Sequence, residues 1–325
     1  MFSGRKSICN PLFRRSGPPA INNKNIRRRA GLQFVICNLL LIVFCFPCLT
    51  SFNIDDGRRV PSAFSPPSSS CKEILQNTLA SLDKIQTLKF HLKVAERIKG
   101  KLHFSESQIK LLRSPFKTYI YLKGPEVLWL AGKNNGNALV NPDGFPFMNL
   151  NLDPMGSIMR ENQHHTIYEV GFDYFAGIIK NSIAFAGDKF DDYFNCSGTL
   201  TWDGHECFLV TADYPYFKYV DYIVKKGENL VTIGRKLKVS DYMLLEINSA
   251  KVSDYYDVKP NQVIKVPNVY GSKMILYIDK DLLVPRVIKV YDDKGLFEVY
   301  QYYELEVNPK IADEEFTKDY KGYGF

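Results

Sequence analysis

A run with helical spacing sits inside a stretch of chain that otherwise alternates like β-strand. In "VKKGENLVTIG", residues 224–234, apolar residues fall at Leu230 and Ile233, and Leu237 continues the series, which is the repeat of one helix face. Asn229 stands where a helix N-cap belongs, and Gly227 supplies a turn just before it. A second cap position follows at Ser240, ahead of "DYMLLEIN", with Leu244 and Ile247 at i, i+3. Short strand patterns, "YIV" and "QVIKVP", flank the pair of helices. The fold must therefore hold a βααβ unit, expected over 220–269, inside a larger body.

That body reads as one helix followed by strands. Ser68 to Ser70 offer N-cap hydroxyls to "CKEILQNTLASLDKI", residues 71–85, with apolar residues at Ile74, Leu75, Leu79, Leu82 and Ile85, an amphipathic helix. Alternating runs follow from "LKFHLKVAERIKGKLHF" to "NALV", broken by turn signals at Lys99-Gly100, Lys123-Gly124-Pro125 and Asn134-Asn135-Gly136. This is an antiparallel meander. Residues 154–187 switch to helical patterning, most clearly in "FDYFAGIIKNSIAFA". "CSGTLTWDGHECFLVTADYP" is a hairpin with the Asp203-Gly204 pair of a type I′ turn. "RVIKVYDDKGLFEVYQYYELEV" is another, turning at Asp293 to Gly295. Because the two strands of the inserted unit pair, its ends lie together, and such a unit can interrupt a host sheet between adjacent strands. The expected host strands are 216–220 and 273–279.

The net charge of +7 does not indicate a nucleic-acid partner. Eight Lys/Arg and no acid lie in residues 1–53, leaving 34 basic residues against 35 acidic ones in the rest, and a near-neutral body has no electrostatic hold on phosphate backbones. The basic arm runs into the apolar stretch Leu32–Leu49, interrupted by Asn38 and Pro47. Residues 1–52 are expected to be a signal peptide or a membrane anchor, with the body exported. Phe46 and Pro47 are too bulky for lipoprotein-type cleavage before Cys48. Residues 53–70, rich in Pro and Ser, have linker composition.

Two resemblances follow. The opening helix, "RSPFKTYIYLKGPEVLWLAGKNNGNALV", "GTLTWDGHECFLV" and the ending "NPKIADEEFTKDYKGYGF" resemble LolA-like envelope domains, over residues 71–219 and 270–325. This implies an α+β fold: an antiparallel half-barrel with helices, interrupted by the small βααβ unit. In carriers of that family a cavity takes acyl chains. The aromatics, 14% of residues, read first as core filling. The inserted unit resembles the LysM domain, a peptidoglycan-binding module, through "VKKGENL", "IGRKLKVS", "LLEIN" and "VKPNQVIKVP". Gly234 stands where that family has alanine, which weakens the helix slightly. Asn261 stands for the turn glycine and tolerates the left-handed region. The loop "SAKVSDYYDV" is longer than the family's. The resemblance implies a shallow groove for N-acetylglucosamine-containing glycans, formed by Gly227, Glu228, Asn229 and Leu230 on one side and Asn248, Ser249, Ala250 and Lys251 on the other. Asn229 is expected to act first as a cap, and Asn248 as a loop brace.

Catalytic patterns are missing. The five histidines, His91, His103, His164, His165 and His205, form no zinc-hydrolase helix motif, and no glycine-flanked nucleophilic serine occurs. His164 and His165 with Glu169 have the donor types for a metal, but adjacent histidines on a polar segment read as solvated surface, so no metal site and no cofactor is expected. Register around Asp203-Gly204 sets Trp202 against His205 and Leu200 against Cys207, leaving Cys196 about 13 Å from Cys207 along the strand, beyond disulfide reach. A bond from Cys71 to either remains open. The expected function is a non-enzymatic, exported envelope protein that binds peptidoglycan. The alternative is a periplasmic lipid or lipoprotein carrier, its half-barrel cavity holding a lipid or acyl chain and the LysM unit serving as localiser.

Overall fold

The computed structural model describes residues 69–325; the expectations for the leader and for nearly all of the linker lie outside the described residues. Strand β1 (Thr87–Ile98) and β2 (Lys101–Leu112) form a long hairpin. It turns at Lys99 and Gly100, both at positive φ, 49° and 79°, as a type I′ turn requires. The meander continues through β3 (Lys117–Tyr121), β4 (Glu126–Leu130), β5 (Ala138–Asn141) and β6 (Leu150–Leu152). The other side of β1 pairs with β13 (Gly295–Val307), which pairs with β12 (Pro285–Asp292). Beyond these lie β11 (Lys273–Asp279), β8 (His205–Asp213) and β7 (Phe194–Trp202). The result is one open antiparallel sheet of eleven strands with β6 and β7 at its edges.

Helix α1 (Cys71–Asp83) starts at Ser70, whose hydroxyl accepts the Glu73 N–H at 3.2 Å. Helix α2 (Asp173–Ala186) is followed by the single turn α3 (Phe190–Tyr193). Ile74, Leu75 and Leu82 of α1 and Phe175, Ile178 and Ile179 of α2 enter one continuous core with Ile109, Leu276, Ile288 and Phe297 of the sheet. Burying each such side chain stabilises by roughly 1.5–3 kcal/mol. The aromatics Phe172, Phe190, Phe194 and Tyr302 join this core.

A disulfide joins Cys71 to Cys196, tying the start of α1 to the edge strand β7. Cys196 faces Val210, Leu200 faces Cys207 and Trp202 faces His205, the register that the turn demands. Asp203 and Gly204 have φ of 47° and 80°. Cys207 is a buried free thiol, and burial pushes its pKa up to about 12.

Three expectations need correction. The helical pattern of 154–187 holds only from Asp173. Residues 154–172 are turns and a short 3-10 segment at Ile167–Glu169, with Asn162 and Gly171 at φ 58° and 97°. At Gly171 a Cβ would sit 3.3 Å from Leu111 Cδ1, so the chain passes tightly over the sheet there. The host strand preceding the insertion is β8, not 216–220; Tyr219 already belongs to the insertion, while β11 is as expected. The segment carrying His164 is not solvated surface, because His164 is 1% exposed.

Candidate glycan groove and its seam with the sheet

The insertion consists of β9 (Tyr219–Ile223), α4 (Leu230–Leu237), α5 (Asp241–Ile247) and β10 (Val263–Pro267). β9 and β10 pair from Tyr219↔Pro267 to Val263↔Ile223. The ends of the unit are therefore neighbours, and the connection from β8 to β11 stays short on both sides. A separate small core of Val224, Leu230, Ile233, Val239, Leu244, Val252, Ile264 and Val266 holds the unit together. Both helices start on the caps read from sequence. Asn229 Oδ1 accepts the Thr232 N–H at 2.9 Å, while Thr232 Oγ1 accepts the Asn229 N–H at 2.9 Å. Ser240 Oγ accepts the Met243 N–H at 3.2 Å. Asn261 takes the left-handed region at φ 68°.

Gly234 has a different role from the one its helix propensity suggests. A Cβ there would lie 2.9 Å from the Val239 carbonyl oxygen and 3.1 Å from Asp241 Cβ. The turn joining α4 to α5 crosses directly over it. The Gly234 carbonyl also accepts the Val239 N–H at 3.0 Å.

Of the first loop, Gly227 has φ 85° with open space around it. The Glu228 carboxylate is engaged: it accepts from Tyr222 Oη at 2.8 Å, the Lys225 N–H at 2.9 Å and Lys236 Nζ at 2.8 Å. The Lys236 hydrogen bond holds its pKa down at about 2. Leu230 is wholly buried in the unit's core, so its side chain is a floor beneath the loop and not a surface contact. Of the second loop, Asn248 is buried and fully used. Its Nδ2 donates to the Leu244 and Lys265 carbonyls, and its Oδ1 accepts the Lys265 N–H, each at 2.8 Å. Ser249, Ala250 and Lys251 are exposed. The chain following the second loop reaches the first: the Leu230 N–H donates to the Tyr255 carbonyl at 2.9 Å. Tyr255 and its half-exposed neighbour Tyr256 were not among the residues singled out from sequence, although "DYYDV" displays them.

The host sheet grips the same loop from behind. Arg160, on the 153–172 segment, stacks its guanidinium 3.4 Å from the centre of the Tyr255 ring and pairs with Asp241 at 2.8 Å. Burial still raises the Asp241 pKa, although Arg160 opposes it. Tyr242 Oη accepts the Lys99 N–H at 2.9 Å, and Glu246 pairs with Lys294 at 3.2 Å. Tyr174 Oη donates to the Val239 carbonyl at 3.4 Å. The inserted unit is thus docked along α5 and through Tyr255.

Residues 222–267 match the family model of the LysM domain. Residues 85–219 match the family described as a protein of unknown function, DUF1571. No curated protein matches the chain. Among solved structures, the Pseudomonas aeruginosa MucA/MucB complex is 12% identical, with 77% of this chain and 61% of that chain covered and a TM-score of 0.37. The Mycobacterium tuberculosis lipoprotein LppX is 11% identical, with 75% and 99% covered and a TM-score of 0.35. A putative outer membrane lipoprotein-sorting protein domain from Vibrio parahaemolyticus is 9% identical, with 77% and 98% covered and a TM-score of 0.26. Likeness at this level transfers no ligand or partner.

Proposed function

With residues 222–267 a LysM domain, we propose that the protein is a non-enzymatic component of the cell envelope that binds peptidoglycan through the groove between residues 227–230 and 248–251. The observation that supports this most is the arrangement of the two loops. The chain just after the second loop is joined to the first through the Leu230 N–H and the Tyr255 carbonyl, yet Gly227, Ser249, Ala250 and Lys251 remain exposed. A groove of exposed small residues over an apolar floor suits an uncharged acetamido sugar. Asn229 and Asn248 contribute by holding the loops, Asn229 through its Oδ1 and Asn248 through its whole amide. A single module of this type binds weakly, and attachment to a membrane or to a multivalent wall raises the effective affinity.

Pull-down on purified peptidoglycan sacculi tests the reading. Ala250→Trp fills the groove from an exposed position and is expected to lower sacculus binding at least tenfold without changing the melting temperature. Undiminished binding would remove the groove from consideration. Zymography on cell walls checks the non-enzymatic half of the reading, and a clearing zone would overturn it.

A further inference from the structure

A second cluster of chemically capable side chains lies behind the groove, where the LysM domain meets the sheet. Glu96 on β1 and Glu298 on β13 are direct cross-strand partners, and both are buried, at 5% and 2% exposure. Like charges directly opposite each other are destabilising, and low dielectric magnifies the repulsion. Such a pair persists in the charged form only with positive charge supplied close by. The residue delivered between them is His164. Its ring stacks on Phe297, 4.1 Å away at 23°, and on Tyr242 of α5, 4.5 Å away at 19°.

The hydrogen bonds of His164 define what each ring nitrogen does. Nε2 lies 3.1 Å from the Arg97 carbonyl oxygen. A carbonyl only accepts, so Nε2 carries a proton. Nδ1 is then the nitrogen presented to the carboxylates, 2.8 Å from Glu298 Oε2. Metal-binding histidines are held in this way: one ring N–H donates to a backbone carbonyl and fixes the tautomer, and the other nitrogen is offered to the ion. One ligand atom from each of Glu96, His164 and Glu298 lies within 4.8 Å of the other two. The outer carboxylate oxygens are braced from behind, Glu298 Oε1 by Tyr270 Oη at 2.8 Å and Glu96 Oε1 by Tyr300 Oη at 2.5 Å. Glu96 Oε2 also accepts the His164 backbone N–H at 3.0 Å, and His165 Nε2 lies 3.4 Å from Glu298 Oε2 as a further nitrogen donor.

We propose that Glu96, His164 and Glu298 form a structural site for a divalent first-row transition ion of the zinc type. The set of one imidazole and two carboxylates suits Zn²⁺, with bonds of about 2.0–2.2 Å. It offers too few oxygens for Ca²⁺, and an imidazole is a poor partner for Mg²⁺. The ion's two positive charges balance the two carboxylates, and coordination replaces the proton that otherwise joins Nδ1 to Glu298 Oε2. The ion would fasten the 153–172 segment to β1 and β13 directly under Tyr242, and so stiffen the seat of the LysM domain. This site is independent of the glycan reading.

The test uses the full chain, stripped with EDTA and dialysed against chelator-free buffer, then titrated with Zn²⁺. The expected result is one tightly bound ion per chain by elemental analysis and a rise in melting temperature of roughly 5–10 °C at 100 times the dissociation constant. Glu96→Gln, which preserves shape, and His164→Gln, which removes the imidazole, are expected to weaken binding at least 100-fold. His91→Ala, beside Glu106 on another part of the sheet, is expected to leave it unchanged. Co²⁺ substitution of the wild-type chain gives a readout that needs no variant: one equivalent should produce the visible absorption of a low-symmetry, nitrogen- and oxygen-ligated ion. A stripped chain that melts identically with Zn²⁺ and EDTA and retains no stoichiometric metal would overturn the site, leaving a proton as the link between His164 and Glu298. Binding that survives both glutamine variants would overturn it as well.

Discussion

Gly234→Ala separates two opposing expectations whose sizes are both known. Helix propensity alone says the change stabilises, by about 1 kcal/mol in a helix interior. The packing says otherwise. The new methyl would sit 2.9 Å from a backbone carbonyl oxygen and 3.1 Å from Asp241 Cβ, with the Asp241 N–H at 3.2 Å. None of these is the loose end of a flexible side chain. The turn over residues 238–241 must move, and such overpacking costs about 1–3 kcal/mol. The same turn carries the Ser240 cap of α5, and weakening a cap costs a further ~0.5–2 kcal/mol. The structural terms win: they sum to about 1.5–5 kcal/mol, and after the propensity gain the variant is expected to be less stable by about 0.5–4 kcal/mol, a factor of roughly 2 to several hundred in the local opening equilibrium. Native-state hydrogen exchange on the Ile264 and Val266 amides reads the LysM domain separately from the host. Slower exchange in the variant, by the several-fold that propensity predicts, would refute the close-approach reasoning.

Other outcomes follow from the same geometry. Asn248→Ala leaves the Lys265 N–H and two carbonyls without partners, and is expected to cost roughly 2–4 kcal/mol in chemical denaturation of the LysM domain. Asn248→Asp should be no better, because its second oxygen would face both carbonyls. Glu228 has a folded pKa of about 2, below its ordinary value, so the stability it contributes is complete above about pH 4.3 and is lost as pH falls toward 2. Glu228→Gln should remove that slope from an acid-unfolding profile. Replacing Cys71 and Cys196 together by serine releases a constraint spanning 125 residues. Loss of up to about 5 kcal/mol is expected in urea unfolding under oxidising conditions, and an unchanged midpoint would contradict it. Arg160→Met leaves Asp241 charged and unpaired at the seam, with an expected loss of about 3–5 kcal/mol measured by thermal unfolding.

The local parts of the fold were legible in the residues. Caps at Ser70, Asn229 and Ser240 and turns at Lys99-Gly100 and Asp203-Gly204 are decided within four residues of chain, so their signals survive in any context. The strand before the insertion was misplaced because alternation around 216–220 does not say which sheet a strand will join; Tyr219 pairs with Pro267 inside the insertion. The 154–172 segment was misread for a related reason. Its polar sequence "ENQHHT" looks like surface, and only the meeting of β1 with β13 places Glu96 and Glu298 where they can receive His164. Among the residues of the proposed groove, Leu230 proved to be core. The aromatic pair Tyr255 and Tyr256 lay beyond the residues that the resemblance supplied, in the part of the loop that is longer than usual.

The pairing of Tyr219 with Pro267 also bears on the order in which the chain can fold. Strands β8 and β11 must meet across roughly 60 intervening residues. Once the LysM domain has closed on itself, only about 10 of those residues remain as free tether. Loop-closure entropy scales as 1.5RT ln n, so prior folding of the insertion lowers the cost of joining β8 to β11 by about 1.6 kcal/mol, a factor of roughly 15. The inserted domain, built from contacts near in sequence, is therefore placed to act as a folding staple for its host: were it to condense first, it would hand the sheet two strands already side by side.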